Sequence, residues 1–219
     1  MGPKTRRGSS GRQDAGWARA EREILPGLNS PVAIQAFLDG VEYGADPFYR
    51  SPCSILHDGR AQCFDGAVFA AAALRNLGDR PRILDMRAVN DDDHVIAIFR
   101  RGAGIGAVAK SNFVGLRYRE PIFRTVRELV LSYFEDFYNV AREKTLRAYS
   151  VPLDLAAFDR LAWETDDGAL EVIAARLDSA RHVEVLTPEQ AARLAPVDER
   201  RYTAGLMGSN PDGLYKPKV

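Results

Sequence analysis

Residues 61–78, AQCFDGAVFAAAALRNLG, are the stretch of this 219-residue chain that decides its fold. Apolar side chains recur there at the spacing of one helix face: Ala67, Ala70, Ala71, Leu74 and Leu77. Gly78 is a typical residue just beyond a helix end. Because alanine side chains are small, another layer can approach this helix closely. The stretch therefore predicts a central, buried helix that begins at Cys63.

Strands are predicted directly after this helix, and a second helix before it. Ser30 and Pro31 are a typical N-cap and first helical residue, and they open a short amphipathic helix. The strand-like runs are RILDMRAV (82–89), HVIAIFRR (94–101) and GAVAK (106–110). A helix followed by consecutive strands predicts an α+β fold in which the helix headed by Cys63 packs on an antiparallel sheet.

The second half of the chain is more helical. Thr125 and Glu128 form a capping box, and the apolar stripe after them predicts a long helix that reaches Phe137. We expect a disordered basic tail (1–16), a core (17–150) and a helical C-terminal extension of the same domain (151–219). Within the extension we expect helices around 170–177 and after Thr187, a short strand over 182–186, and a loose end over 208–219.

Composition excludes several classes of function. Thirty Lys and Arg balance thirty Asp and Glu, whereas a dedicated nucleic-acid binder normally carries a basic excess, so nucleic acid is not expected as a partner. No apolar run approaches the ~20 residues of a membrane span, and no secretory signal pattern is present. Two cysteines do not make a disulfide scaffold. We therefore expect a cytoplasmic protein with free thiols and no membrane partner.

Cys63 and His94 are the candidate catalytic pair. A thiol at a helix N-terminus lies near the positive end of the helix dipole and near free N–H groups, which favour thiolate and can stabilise an oxyanion. His94 opens a strand, where a general base for that thiol would be useful. Each residue also has a purely structural interpretation, as a small buried apolar group and as a histidine bonded to neighbouring aspartates.

The third catalytic residue depends on the hairpin register. A three-residue loop, 102–104, would place Arg100 opposite Gly106 and His94 opposite Asn112, whose amide would orient the imidazole. A four-residue loop would place Ser111 opposite His94 instead. The run GAGIGA (102–107) also matches a dinucleotide-binding pattern, but a strand rather than a helix follows it, which favours the hairpin.

No metal or cofactor is expected, because the contiguous acids Asp91, Asp92 and Asp93 beside His94 rarely converge on one ion. Gln62, Lys110 and Ser111 flank the catalytic candidates and are expected to bind substrate. Arg117 and Arg119 are expected on one face of an extended segment, where they would bind an anionic group of the substrate. The competing interpretation is that Glu120 and Glu128 hold them in structural ion pairs.

The order cysteine at a helix start, histidine at a strand start, then amide on the next strand resembles the transglutaminase-like branch of papain-fold cysteine enzymes. The carrying residues are AQCFDGA (61–67), DDHV (92–95) and KSN (110–112). The resemblance covers about residues 50–115, roughly a third of the chain, and the sequence after it is similar to a bacterial subgroup. This chain departs from the pattern at Asn112, where Asp is common, and at Val95, where an aromatic residue is usual.

The resemblance implies a cysteine-dependent acyl-transfer enzyme, either an amide or peptide hydrolase or a transamidase, with a Cys63–His94–Asn112 triad. Its substrate would be a peptide or a small molecule that contains an amide. The alternative is a catalytically silent protein of the same fold that binds an anionic partner through its basic stretch.

Overall fold

An antiparallel sheet forms the centre of the molecule, in a computed structural model that describes residues 23–215. The predicted basic tail lies outside the described residues. The strands are β1 (Glu42–Tyr43), β2 (Arg60–Ala61), β3 (Arg82–Ala88), β4 (His94–Arg101), β5 (Gly104–Val108), β6 (Arg119–Phe123), β7 (Leu146–Ser150), β8 (Leu153–Asp154) and β9 (His182–Glu184). In the main sheet they pair in the order β6-β5-β4-β3-β7-β9, and β8 also pairs with β3. Strands β1 and β2 form a separate parallel pair.

Helices lie along the chain between these strands. They are α1 (Pro31–Gly40), α2 (Pro52–Asp58), α3 (Cys63–Asn76), α4 (Val126–Leu131), α5 (Gly168–Asp178), α6 (Pro188–Ala191) and α7 (Glu199–Gly205). The predicted α+β fold, with the helix headed by Cys63 packed on an antiparallel sheet, is confirmed. The C-terminal part also contributes β8 and β9 to that same sheet.

Strand alternation divides the core into two layers. Val95, Ala97 and Phe99 of β4 face the layer that contains α3, in which Ala67, Ala70, Ala71 and Leu74 are fully buried. Ile96 and Ile98 face the opposite layer, with Leu129, Tyr133 and Phe137. At about 25 cal/mol per Å² of apolar surface, burial in these two layers is the main stabilising contribution.

The first turn of α3 is fixed by close packing. A Cβ added at Gly66 would lie 2.2 Å from the Lys110 Cβ, so only glycine lets these two backbones approach so closely. Asp65 Oδ2 accepts a hydrogen bond from the Gln62 N–H (3.2 Å), and its Oδ1 accepts from the Arg50 N–H (3.0 Å). The start of α3 is therefore held against the segment that follows β5.

The hairpin register differs from the prediction. Arg101 pairs with Gly104, so the loop has two residues, Gly102 and Ala103, rather than three. Gly102 has a φ of +57°, which glycine adopts at no steric cost. Arg100 therefore faces Ile105, and the ladder ends at Ala97 opposite Val108. The segment 110–112 lies beyond β5, so Asn112 is not on the strand next to His94.

The helix after Thr125 is shorter than predicted. It ends at Leu131, although the apolar stripe continues past that residue. Ser132 Oγ donates to the Leu129 carbonyl (2.6 Å), and the Arg119 guanidinium donates to the Ser132 carbonyl (3.2 Å). That carbonyl is thereby occupied where a longer helix would need it as an acceptor. The chain continues as a separate short 3₁₀ turn, Phe134–Asp136.

The end of the described chain is not loose. Residues 207–215 follow α7 and pack against Asn112 and Tyr43. Across residues 23–215, every helix falls short of the length and apolar character needed to span a bilayer.

Candidate active site

Cys63 is the first residue of α3, and its thiol contacts the backbone at the start of β4. The Sγ–H donates to the Asp93 carbonyl at 3.7 Å. Burial raises the pKa of the Cys63 thiol to about 12, although the backbone N–H groups of Val95 and Phe64 hydrogen-bond the sulfur and act in the opposite direction. The sequence predicted a helix-stabilised thiolate. This prediction is wrong for the described structure, because desolvation of the thiol outweighs the effect of the helix N-terminus on its pKa.

His94 lies at the start of β4, on the sheet face that carries Ile96 and Ile98. Its Nε2 is 2.8 Å from the Leu116 carbonyl oxygen, and its ring packs edge-on against Phe137. Burial lowers the pKa of His94 to about 4, so the ring is neutral at pH 7. Because a carbonyl can only accept, Nε2 carries the proton and Nδ1 keeps a basic lone pair.

A small cavity at the start of β4 is lined by both candidates. Its volume is about 40 Å³, and Cys63, His94, Ser111, Asn112 and Tyr43 are among the residues that line it. Cys63 reaches the cavity from the α3 side, and His94 from the other face of the sheet. Within residues 23–215, no hydrogen bond joins the two side chains. The cavity has room for about one water molecule and is too small for a substrate.

Asn112 has a different partner from the one predicted. Its Oδ1 accepts from the Asn210 N–H (2.7 Å), and its Nδ2 donates to the Asn210 carbonyl (2.8 Å). The amide is thus bonded to the backbone of residue 210, and the Leu116 carbonyl is the group that orients His94. Ser111 Oγ accepts from the Phe113 N–H at 3.0 Å.

Two of the predicted substrate-binding residues have structural partners near the start of α3. Gln62 Nε2 donates to the Phe48 carbonyl at 3.3 Å. Lys110 is buried, and its Nζ donates to the carbonyls of Leu38, at 2.9 Å, and of Val41. Burial lowers the pKa of Lys110. Its ammonium therefore caps the C-terminal end of α1.

The two arginines are also paired, but not with the predicted glutamates. Arg117 Nη1 lies 3.1 Å from Asp39 Oδ1. The Arg119 guanidinium lies 3.9 Å over the Tyr133 ring and donates to the carbonyls of Gly115 and Ser132. Arg117 lines the larger groove described next, whereas Arg119 lies outside both cavities.

A larger groove of about 640 Å³ adjoins the small cavity. Tyr43, Ser111 and Asn112 line both spaces, and Met207–Asn210 form part of the groove wall. Sequence reasoning missed Tyr43 and this C-terminal segment. Burial and the nearby Cys63 raise the pKa of Tyr43 well above its ordinary value. Nothing local in the sequence marks either feature, because both reach the site through contacts between distant parts of the chain.

Within the part of the chain that the structure describes, no group of three or more His, Cys, Asp and Glu side chains is placed to hold a metal ion. Both cysteines are free thiols. What the site contains is a thiol, an imidazole with one free basic nitrogen, and backbone N–H groups at a helix start.

Comparison with known proteins gives matches among solved structures. No family model matches the chain, and no curated protein matches it. Among solved structures, Legionella pneumophila LapG is similar over 47% of this chain and 66% of that chain, with 15% identity and a TM-score of 0.34. A structure of EGTA-treated Legionella pneumophila LapG is similar over 75% of this chain and 91% of that chain, with 13% identity and a TM-score of 0.39. At these values the likeness assigns neither a family nor an activity.

Proposed function

We propose that the protein is a cysteine-dependent acyl-transfer enzyme of the transglutaminase-like type, with Cys63 as nucleophile and His94 as proton carrier. The observation that carries the proposal is the placement of Cys63. Its thiol lies at the start of a buried helix, the N–H groups of Phe64 and Val95 act on its sulfur, and it shares a cavity with a neutral His94.

The proposed reaction uses these groups in two steps. The Cys63 thiol gives its proton to His94 Nδ1, and the sulfur attacks the carbonyl carbon of an amide. The C–N bond breaks, the amine leaves with the proton from His94, and a thioester remains on Cys63. Water or an amine then cleaves the thioester, which gives hydrolysis or transamidation. The N–H groups at the helix start stabilise the oxyanion in both steps.

The closed site holds both partners in their neutral forms. Burial raises the pKa of Cys63 to about 12 and lowers that of His94 to about 4, so an ion pair is unfavourable there. Proton transfer therefore has to accompany substrate binding, when the substrate carbonyl brings new polar contacts into the cavity. In this proposal Leu116, through its carbonyl, is the positioning residue for His94.

Peptides and small amides are the proposed substrates, and a reducing compartment such as the cytoplasm, in which both cysteines stay free, is part of the proposal. A silent module for an anionic partner receives no comparable support. The cations expected to bind such a partner, Lys110, Arg117 and Arg119, are bonded to carbonyls, a carboxylate or an aromatic ring.

The test uses electrophilic amide probes and a library of reporter peptide amides. We expect Cys63→Ala to abolish probe labelling at this site and to lower turnover at least ~10³-fold, because no other group supplies the nucleophile. Cys63→Ser should lose nearly as much. Cys53→Ala, which removes the other free thiol, is the matched control and should stay within about twofold.

Hydroxylamine distinguishes the two reaction types, since it captures a thioester as a hydroxamate whose yield shows how readily an amine competes with water. Full turnover in Cys63→Ala would overturn the proposed function.

A further inference from the structure

Residues 207–215, here called the strap, separate the candidate active site from the groove. The chain turns at Gly208, whose φ is +73°. The first part of the strap lines the groove of about 640 Å³, whereas Gly213 and Tyr215 line the cavity of about 40 Å³ that contains Cys63. The same short segment therefore borders both spaces.

The main chain of the strap is what Asn112 holds. The Asn112 amide accepts from the N–H of residue 210 and donates to the carbonyl of that same residue, at 2.7 and 2.8 Å. This pairing reproduces what one strand residue offers another, and it does not depend on the side chain at 210. Asn112 is only 8% exposed, so its amide would carry a desolvation cost if the partner left without replacement.

A second contact fits a residue without a side chain. Gly213 lies against the Tyr43 ring, and a Cβ added there would be 2.7 Å from Tyr43 Cδ1 and 3.3 Å from Asn112 Nδ2. Gly213 is not among the glycines with positive φ, so space rather than backbone conformation requires it. Tyr43 also receives a hydrogen bond on its carbonyl from Asn210 Nδ2 (3.0 Å).

We propose that the strap occupies the binding site of an extended polypeptide as an internal ligand, and that Asn112 is the backbone clamp of that site. A polypeptide that displaces the strap would bond Asn112 through its own N–H and carbonyl and place a small residue against Tyr43. Displacement would open the cavity at Cys63 to the groove. The inference builds on the proposed function, but the strap and its bonds to Asn112 can be tested without measuring turnover.

The test measures how fast N-ethylmaleimide labels Cys63 in the native, full-length protein, by mass spectrometry of digested peptides. Asn112→Ala removes both clamp bonds, and Gly213→Val forces the strap away from Tyr43. We expect each variant to raise the Cys63 labelling rate about tenfold, the effect of losing one or two buried hydrogen bonds. Cys53 in the same molecule is the reference, and its rate should change less than about twofold.

Thr203→Ala, on the exposed side of α7 just before the strap, is the matched control and should leave both rates unchanged. Unchanged Cys63 labelling in both Asn112→Ala and Gly213→Val would overturn the proposal. So would a rise at Cys53 equal to that at Cys63, because the strap would then not be a local cover.

A second measurement tests the ligand class. The synthetic peptide MGSNPDGLY, which copies residues 207–215, is added to the Gly213→Val protein. We expect it to restore protection of Cys63, and the same peptide with valine in place of its second glycine to protect less. Failure of the copy to protect at millimolar concentration would overturn the polypeptide site. Protection without any amide turnover would leave the strap standing and count against the proposed function alone.

Discussion

Two buried histidines of the same sheet differ in how many of their ring nitrogens are occupied. His94 bonds the Leu116 carbonyl through Nε2, and its Nδ1 has no hydrogen bond to residues 23–215. His182, at the start of β9, is bonded at both nitrogens, to the Ala180 carbonyl (2.8 Å) and to Asp85 Oδ2 (2.9 Å). Both side chains are shielded from solvent.

In the proposed function, this difference separates the catalytic histidine from a structural one. An imidazole can act as a base only through a nitrogen that keeps its lone pair free, and His94 satisfies this condition beside a cavity. His182 instead pairs with the Asp85 carboxyl. Burial destabilises the charged form of this carboxyl and raises its pKa to about 6. Its role in the structure is to stabilise Asp85.

Equivalent substitutions at the two histidines should differ strongly in their effect on activity, and this is the largest effect expected. His94→Gln keeps a donor for the Leu116 carbonyl but has no basic nitrogen, so turnover should fall about 10²–10⁴-fold. His182→Gln keeps a donor for Asp85 and should stay within about twofold. Reporter-amide turnover at pH 7 measures both. Equal losses in the two variants would contradict the assignment of His94 as the base.

The next largest effect concerns His94 and the dependence of the free energy of unfolding on pH. His94 has a folded pKa of about 4, below its unfolded value, so the unfolded chain takes up a proton first as pH falls. Its contribution to stability is therefore present above about pH 6.5 and is lost between about 6.5 and 4, roughly 3 kcal/mol in all.

Urea unfolding of the wild type and of His94→Gln at several pH values measures this contribution. The difference between the two proteins should change across that window in the stated direction. Buried carboxyls titrate in both proteins and cancel. A constant difference would mean that His94 is not buried in its neutral form.

The smallest effect is the coupling between His182 and Asp85. A double-mutant cycle with His182→Ala and Asp85→Ala should give a coupling free energy of about 1–2 kcal/mol, because each single variant leaves the other polar group buried without its partner. Urea unfolding at pH 7 gives the four values. Additive losses would show that the 2.9 Å contact contributes nothing to stability.

Much of the fold is predictable because its signals are local. The spacing of alanines in 61–78 predicts α3, and the continuous apolar run within 94–101 predicts β4. Because the side chains of a strand alternate between its two faces, His94 shares the face of Ile96 and Ile98 and not the α3 side. The hairpin register was missed because Gly102 and Gly104 both suit a turn, and only cross-strand packing selects between the two loops.

The site was less predictable because its partners are distant in sequence. Asn112 meets Asn210, and Lys110 meets the end of α1, across 98 and 72 residues respectively. No local sequence pattern indicates a contact between residues so far apart. The desolvation of the Cys63 thiol is likewise a property of the assembled fold, and it acts against the thiolate expected from the helix start.

The position of β3 in the sheet has a consequence for synthesis on the ribosome. One edge of β3 pairs with β4, which follows at once, but the other pairs with β7, where Tyr149 lies opposite Met86. Roughly 60 further residues must therefore be translated before that edge is covered, which takes about 3–12 s at ordinary elongation rates. During this interval the nascent chain presents an unpaired, apolar strand edge of the kind that associates with other chains.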